Sequence, residues 1–212
     1  TESRVFTMHF DLTGRNKKYY VSLDMVSGLQ VDEWPEEATS WIARECLWPD
    51  EAVIQKIVQQ GHQLIPKPSR NPSTGKFDVS KMFLNSQWSM TFTLAEKYLA
   101  SQRTEVQQLF YLIAKTLFCL HSELSDPWDV VFPSYALKTC MLWMMEQTPP
   151  NSWTENNLWS LLQKLFDKLE TAVRSRILPY YFIPDINILG SCSNELLEAT
   201  EVKLRHIRRN ML

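Results

Sequence analysis

Ser134, Tyr135 and Lys138 stand on the predicted first turn of an otherwise apolar helix, in the stretch VFPSYALKTCMLW. A helix start presents unpaired backbone N–H groups and the positive end of the macrodipole, so it suits an anion such as a phosphate. There a hydroxyl supplies a hydrogen bond, an ammonium supplies charge, and a phenol ring supplies a face for stacking a nucleobase. The plainer alternative is a Ser N-cap beside an interfacial Tyr. Lys115 is a second candidate, set inside LFYLIAKTLFCL, the most apolar helical run of the chain. An ammonium in such a row either meets an anion or snorkels to water. Asp24, in VSLDMV, is the third. Strand period places it on one face with Ser22 and Val26. A carboxylate on a central strand needs a partner or a metal, which makes Asp24 a candidate Mg²⁺ ligand; on a half-exposed sheet it would face water instead.

Other chemistries are not spelled out. There is no Gly-rich phosphate loop, no Ser/His/Asp set and no HExxH. Cys46, Cys119, Cys140 and Cys192 are widely spaced, without CxxC or zinc spacing, which points to a reduced, cytoplasmic setting. His9, His62, His121 and His206 are equally scattered and read as ordinary surface or core residues. Basic residues gather late, at Arg174, Arg176, Lys203, Arg205, Arg208 and Arg209. They read as a solvated helix face answering the macrodipole, with a nucleic-acid or acidic-lipid patch as the alternative. The formal charge of -2 over 212 residues gives no global pull toward nucleic acid. No apolar run approaches the roughly 20 residues of a membrane span, and the N-terminus does not resemble a signal peptide.

These residues need elements to place them. RVFTMHFDL and YYVSLDMV flank the turn TGRNKK and predict a β-hairpin; because a lone hairpin is marginal in water, further strands are expected elsewhere. WPDEAVIQKIVQQG changes to helical period, with Pro49 expected in the first turn and Gly61 as a stop. PKPSRNPSTGK, residues 66–76, predicts a long exposed loop. Helices are expected over about 88–101, 104–122, 134–147, 154–175 and 194–208, with SDPWD, TPPNSW and LPYYFIPDINIL between them. The fold class is α+β, a small antiparallel β segment followed by a helical bundle.

Taken in order, VSLDMV with the WPEEA loop, LIPKP, QWSMTFTLAEKYL, LFYLIAKTLF, FPSYALKTCMLW, SWTENNL and LPYYFIPDINIL resemble the Mab-twenty-one family, which includes cyclic GMP-AMP synthase and the cGAS-like receptors. The resemblance implies the C-terminal part of a nucleotidyltransferase core over residues 1–65 and a helical Mab-type lobe over 66–212. It further implies an innate immune receptor that joins ATP and/or GTP into a cyclic dinucleotide on sensing nucleic acid, with double-stranded RNA as the expected activator. Mg²⁺ or Mn²⁺ would serve as cofactor, in a two-metal site suited to in-line displacement at phosphorus. By position Asp24 resembles the third metal-binding catalytic carboxylate. Lys115, Ser134 and Lys138 resemble donor-triphosphate contacts, Tyr135 the base-stacking ring, and Ser89, Thr91 and Glu96 the acceptor side.

Three departures qualify the transfer. The upstream Gly-Ser turn and paired acids are not in this chain, so the missing upstream half of the core is an expected partner, and the chain by itself is expected to be inactive. Ser89 stands where cyclic GMP-AMP synthase has an Arg, which bears on base choice or linkage. The zinc-binding His/Cys insertion of the vertebrate DNA sensor is also missing, which fits the zinc-free receptors better. The alternative reading is a catalytically inactive family member that binds nucleotide or acts as a scaffold.

Overall fold

The structure, a computed structural model, describes residues 6–14, 17–25, 28–66, 88–120 and 134–210, with side chains from residue 28 onward except Leu120 and Ser134. Most of the loop expected at 66–76, the SDPWD connector and the side chain of Asp24 therefore lie outside the described residues. The chain divides into two compact units, Thr1–Trp34 with Ile57–Glu96, and Pro35–Lys56 with Lys97–Leu212.

The first unit holds the strands. β1 (Phe6–Gly14) and β2 (Lys17–Met25) form the expected antiparallel hairpin, with Asp24 opposite Thr7. A second sheet joins β3 (Leu29–Val31), β4 (His62–Pro66) and β5 (Trp88–Thr91) in the antiparallel order β3-β4-β5. WSMT is thus a strand, where helical period over 88–101 had suggested the start of a helix. A short apolar run does not separate the two conformations. Pairing decides it, since Ser89 sits opposite Ile65 and Thr91 opposite Gln63. The helix begins only at Thr93. Phe92, fully buried, packs against Trp34 with ring centroids 5.1 Å apart, and His62 Nδ1 donates to the Glu33 carbonyl at 2.8 Å.

The helices are α1 (Thr39–Ile42), α2 (Glu51–Gln59), α3 (Thr93–Ser101), α4 (Glu105–Leu120), α5 (Ser134–Gln147), α6 (Leu158–Ser175) and α7 (Asn194–Asn210). Asp50 caps α2, its carboxylate accepting from Val53 N at 2.8 Å, so Pro49 lies just ahead of the first turn rather than in it. Gly61 ends the run with φ 62, and a Cβ there would stand 1.9 Å from the Val31 carbonyl oxygen. α6 buries the stripe Leu161, Leu162, Leu165, Phe166, Leu169, Ala172 and Val173. It closes with Arg176 in the left-handed conformation at φ 60 and Ile177 N donating to Ala172 O at 3.1 Å, the Schellman arrangement usually built on Gly.

The core of the second unit joins Phe110, Ala114 and Phe118 of α4, Leu137, Met141 and Met145 of α5, the α6 stripe, and Leu197, Leu204 and Ile207 of α7. Residues 35–56 belong to this unit although they precede it in sequence. Trp41 packs on Phe182 at 5.1 Å between ring centroids. Arg44 lies over the Trp143 ring at 4.2 Å and the Tyr181 ring at 5.0 Å, its Nε 3.0 Å from Glu146 and its Nη2 donating to Tyr181 O at 3.0 Å. Burial pushes the Glu146 carboxyl up from its ordinary value, and the Arg44 guanidinium pulls it partly back.

Candidate functional site

α5 is apolar nearly all round, with Ala136, Leu137, Cys140, Met141, Leu142, Met144 and Met145 buried. A helix so wrapped has little surface left for polar groups. Burial pushes the Cys140 thiol up to about 12, which makes it an inert core residue. Tyr135 and Lys138, on the opening turns, are only half-buried. Lys138 Nζ stands 5.1 Å from the Tyr135 ring centroid, within cation–π range. Tyr135 also meets Tyr180, with ring centroids 5.9 Å apart and planes inclined by 51°. Phe182 continues the cluster, 6.0 Å from Tyr180.

Tyr180 comes from the LPYYFIPDINIL connector, which is a hydrogen-bonded clasp. Tyr180 N donates to Ile186 O at 2.8 Å and Ile188 N to Leu178 O at 3.0 Å. Asn187 closes it, its Oδ1 accepting from Leu178 N at 2.9 Å and Leu189 N at 3.1 Å while its Nδ2 donates to Arg176 O at 2.8 Å. Trp143 Nε1 donates to Pro179 O at 3.0 Å and ties the clasp to α5. In the sequence LPYYFIPDINIL is a marker of resemblance without a role for Tyr180; a ring flanked by Pro179 and Tyr181 carries no sign that it lies against Tyr135.

Ser134 opens α5, and its side chain lies outside the described residues. Lys115 is exposed on α4, and no hydrogen bond, ion pair or ring contact joins it to Tyr135 or Lys138 among the described residues. Ser89 and Thr91 are half-buried on β5; the Thr91 hydroxyl lies 3.0 Å from that of Thr93, at the start of α3. Glu96 is half-buried on α3. The late basic residues answer mostly to carboxylates. Arg174 Nη2 meets Glu170 at 2.8 Å, Arg208 Nη2 meets Asp167 at 2.6 Å, and Arg205 pairs with Glu201.

Residues 1–102 match the model of the Mab-21 protein nucleotidyltransferase domain, and residues 102–206 match that of the Mab-21 protein HhH/H2TH-like domain. The chain belongs to the Mab-21 family. A protein named mab-21-like from Anopheles gambiae is 26% identical over 180 residues, covering 84% of this chain and 47% of the relative. Its Drosophila melanogaster counterpart is 24% identical over the same coverage. A cyclic GMP-AMP synthase-like receptor from Magallana gigas is 25% identical over 200 residues, covering 92% of this chain and 32% of the receptor. The chain thus spans half or less of the length of these relatives. Nucleotidyltransferase domains generally use a divalent metal. Among the described residues no group of three or more His, Cys, Asp or Glu side chains is placed to hold one.

Proposed function

We propose that this Mab-21 chain carries the donor-nucleotide side of a cGAS-like nucleotidyltransferase, which makes a cyclic dinucleotide from ATP and/or GTP when double-stranded RNA binds. The Tyr135–Lys138–Tyr180 corner at the start of α5 carries the reading. It offers a half-open aromatic face for a base and an ammonium beside a positive helix end for phosphate. Ser134 would add a hydroxyl to the phosphates, and Lys115 a second ammonium, brought from α4 by the bound triphosphate. Ser89, Thr91 and Glu96 would serve the acceptor nucleotide. Asp24 would supply one Mg²⁺ ligand, and the remaining carboxylates would come from a part of the nucleotidyltransferase core outside this chain.

The test uses the full protein with Mg²⁺, ATP, GTP and an RNA duplex, with products separated by chromatography. A cyclic dinucleotide is expected, and Tyr135→Ala is expected to weaken nucleotide binding about tenfold or more while Tyr135→Phe retains it, as stacking on one ring predicts. Equal affinity in Tyr135→Ala and the parent would sink the assignment of the corner. The second reading, a non-catalytic nucleotide-binding or scaffolding protein, draws on the relatives named only as mab-21-like. Under it, Tyr135-dependent binding occurs without product under any nucleic acid.

A further inference from the structure

α6 and α7 run antiparallel and are joined by a lattice of ion pairs. Glu170, nearly buried, is met by Arg174 Nη2 at 2.8 Å, by Arg208 Nη1, and by Arg205 Nε at 3.7 Å. Glu201 takes Arg174 Nε at 3.0 Å and Arg205 Nη2. Beside this lattice is a cavity of about 420 Å³ lined by Gln163, Asp167, Arg205, Arg208 and Arg209. Its lining sets three guanidinium groups against one carboxylate.

The arrangement is not simply a neutralised surface. The carboxylates grip Arg205 through Nε and Nη2, and Arg208 through Nη1 and Nη2, and so hold both planes in place. Among the described residues no acceptor is recorded for Arg205 Nη1 or Arg208 Nε, and Arg209 has no carboxylate partner. Guanidinium groups held in a fixed fork bind phosphate oxygens without a large ordering cost. The volume falls in the range of small-molecule sites. An extended nucleic-acid backbone fits less well, because Glu195 and Glu198 on α7 interrupt any cationic track beyond the cavity.

We propose that this α6–α7 cavity binds a small polyol carrying two or more phosphate groups, with Arg205, Arg208 and Arg209 taking the phosphates and Gln163 and Asp167 taking hydroxyls. The site is separate from the Tyr135 corner, so it stands or falls apart from the nucleotidyltransferase reading.

The test is calorimetric titration of the full protein with myo-inositol hexakisphosphate and with pyrophosphate at 0.15 M salt. Saturable binding of the inositol phosphate, tighter than that of pyrophosphate, is expected. Arg209→Gln, which leaves the ion-pair lattice intact, should weaken binding about tenfold, and Arg209→Glu should weaken it further. No binding of either probe, or equal affinity in the parent and both variants, would overturn the inference. Loss of binding in Tyr135→Ala but not in Arg209→Gln would also overturn it, by assigning the anion to the nucleotide corner. Tighter, Arg209-dependent binding of an RNA duplex would overturn it in favour of a polymer surface.

Discussion

At the scale of single residues, Arg44 is the most consequential side chain outside the site. It sits in the corner between the Trp143 and Tyr181 rings, which meet edge to face, while its Nε faces Glu146 at 3.0 Å. Removing one member of such a pair leaves a buried charge uncompensated, and Arg44→Ala is expected to cost about 3 kcal/mol in denaturant unfolding. The cost should grow with pH. Burial already raises the folded-state carboxyl of Glu146 above its ordinary value, so the folded chain holds its proton more tightly than the unfolded chain does. Stability from that proton is present below the ordinary carboxylate range and is lost as pH rises through the folded value. Without Arg44, which lowers that value, the window extends upward. Unfolding the parent and Arg44→Ala between pH 5 and 7.5 checks this; a difference independent of pH would contradict it. None of it is legible in the local sequence. ARECLW carries no local sign of the pairing, because the partners lie at positions 143, 146 and 181. Tyr135 and Lys138, by contrast, could be singled out from the sequence, because a phenol and an ammonium on an apolar helix start conflict with their surroundings.

At the scale of elements, what the sequence showed and what it hid divide by the range of the forces involved. α5 begins and ends where Pro133 and the apolar series indicate, since caps, breakers and period act within a few residues. β5 is not legible locally because four residues carry too little period, and its identity comes from β4, more than twenty positions away. Gly61 was visible as a stop but not as a contact. Its positive φ ends α2, and its missing side chain admits the β3 backbone. Gly61→Ala should therefore destabilise the sheet unit by about 2 kcal/mol or more, combining left-handed strain with a backbone clash. Equilibrium denaturation measures it, and a loss below half a kcal/mol would show that β3 gives way freely.

At the scale of the whole molecule, the two family models meet at residue 102, whereas residues 35–56 pack as part of the helical unit. A fragment cut at the model boundary would leave Trp143, Glu146, Tyr181 and Phe182 without Trp41 and Arg44. Residues 102–210 alone are expected to melt well below the same fragment supplied with a 35–56 peptide, which should bind it and raise the melting temperature. No shift on adding the peptide would show that the helical unit is self-sufficient. Nothing local marks this excursion, because the boundary is set by contacts rather than by a linker. The Arg44 seat also sets a timetable. Its guanidinium binds a carbonyl 137 positions downstream. At synthesis rates of about 5–20 residues per second, that carbonyl emerges on the order of ten seconds after Arg44 does. Until then Trp41 and Arg44 travel on a nascent chain whose landing place has not been made, so the helical unit can close only after residue 181 has been synthesised.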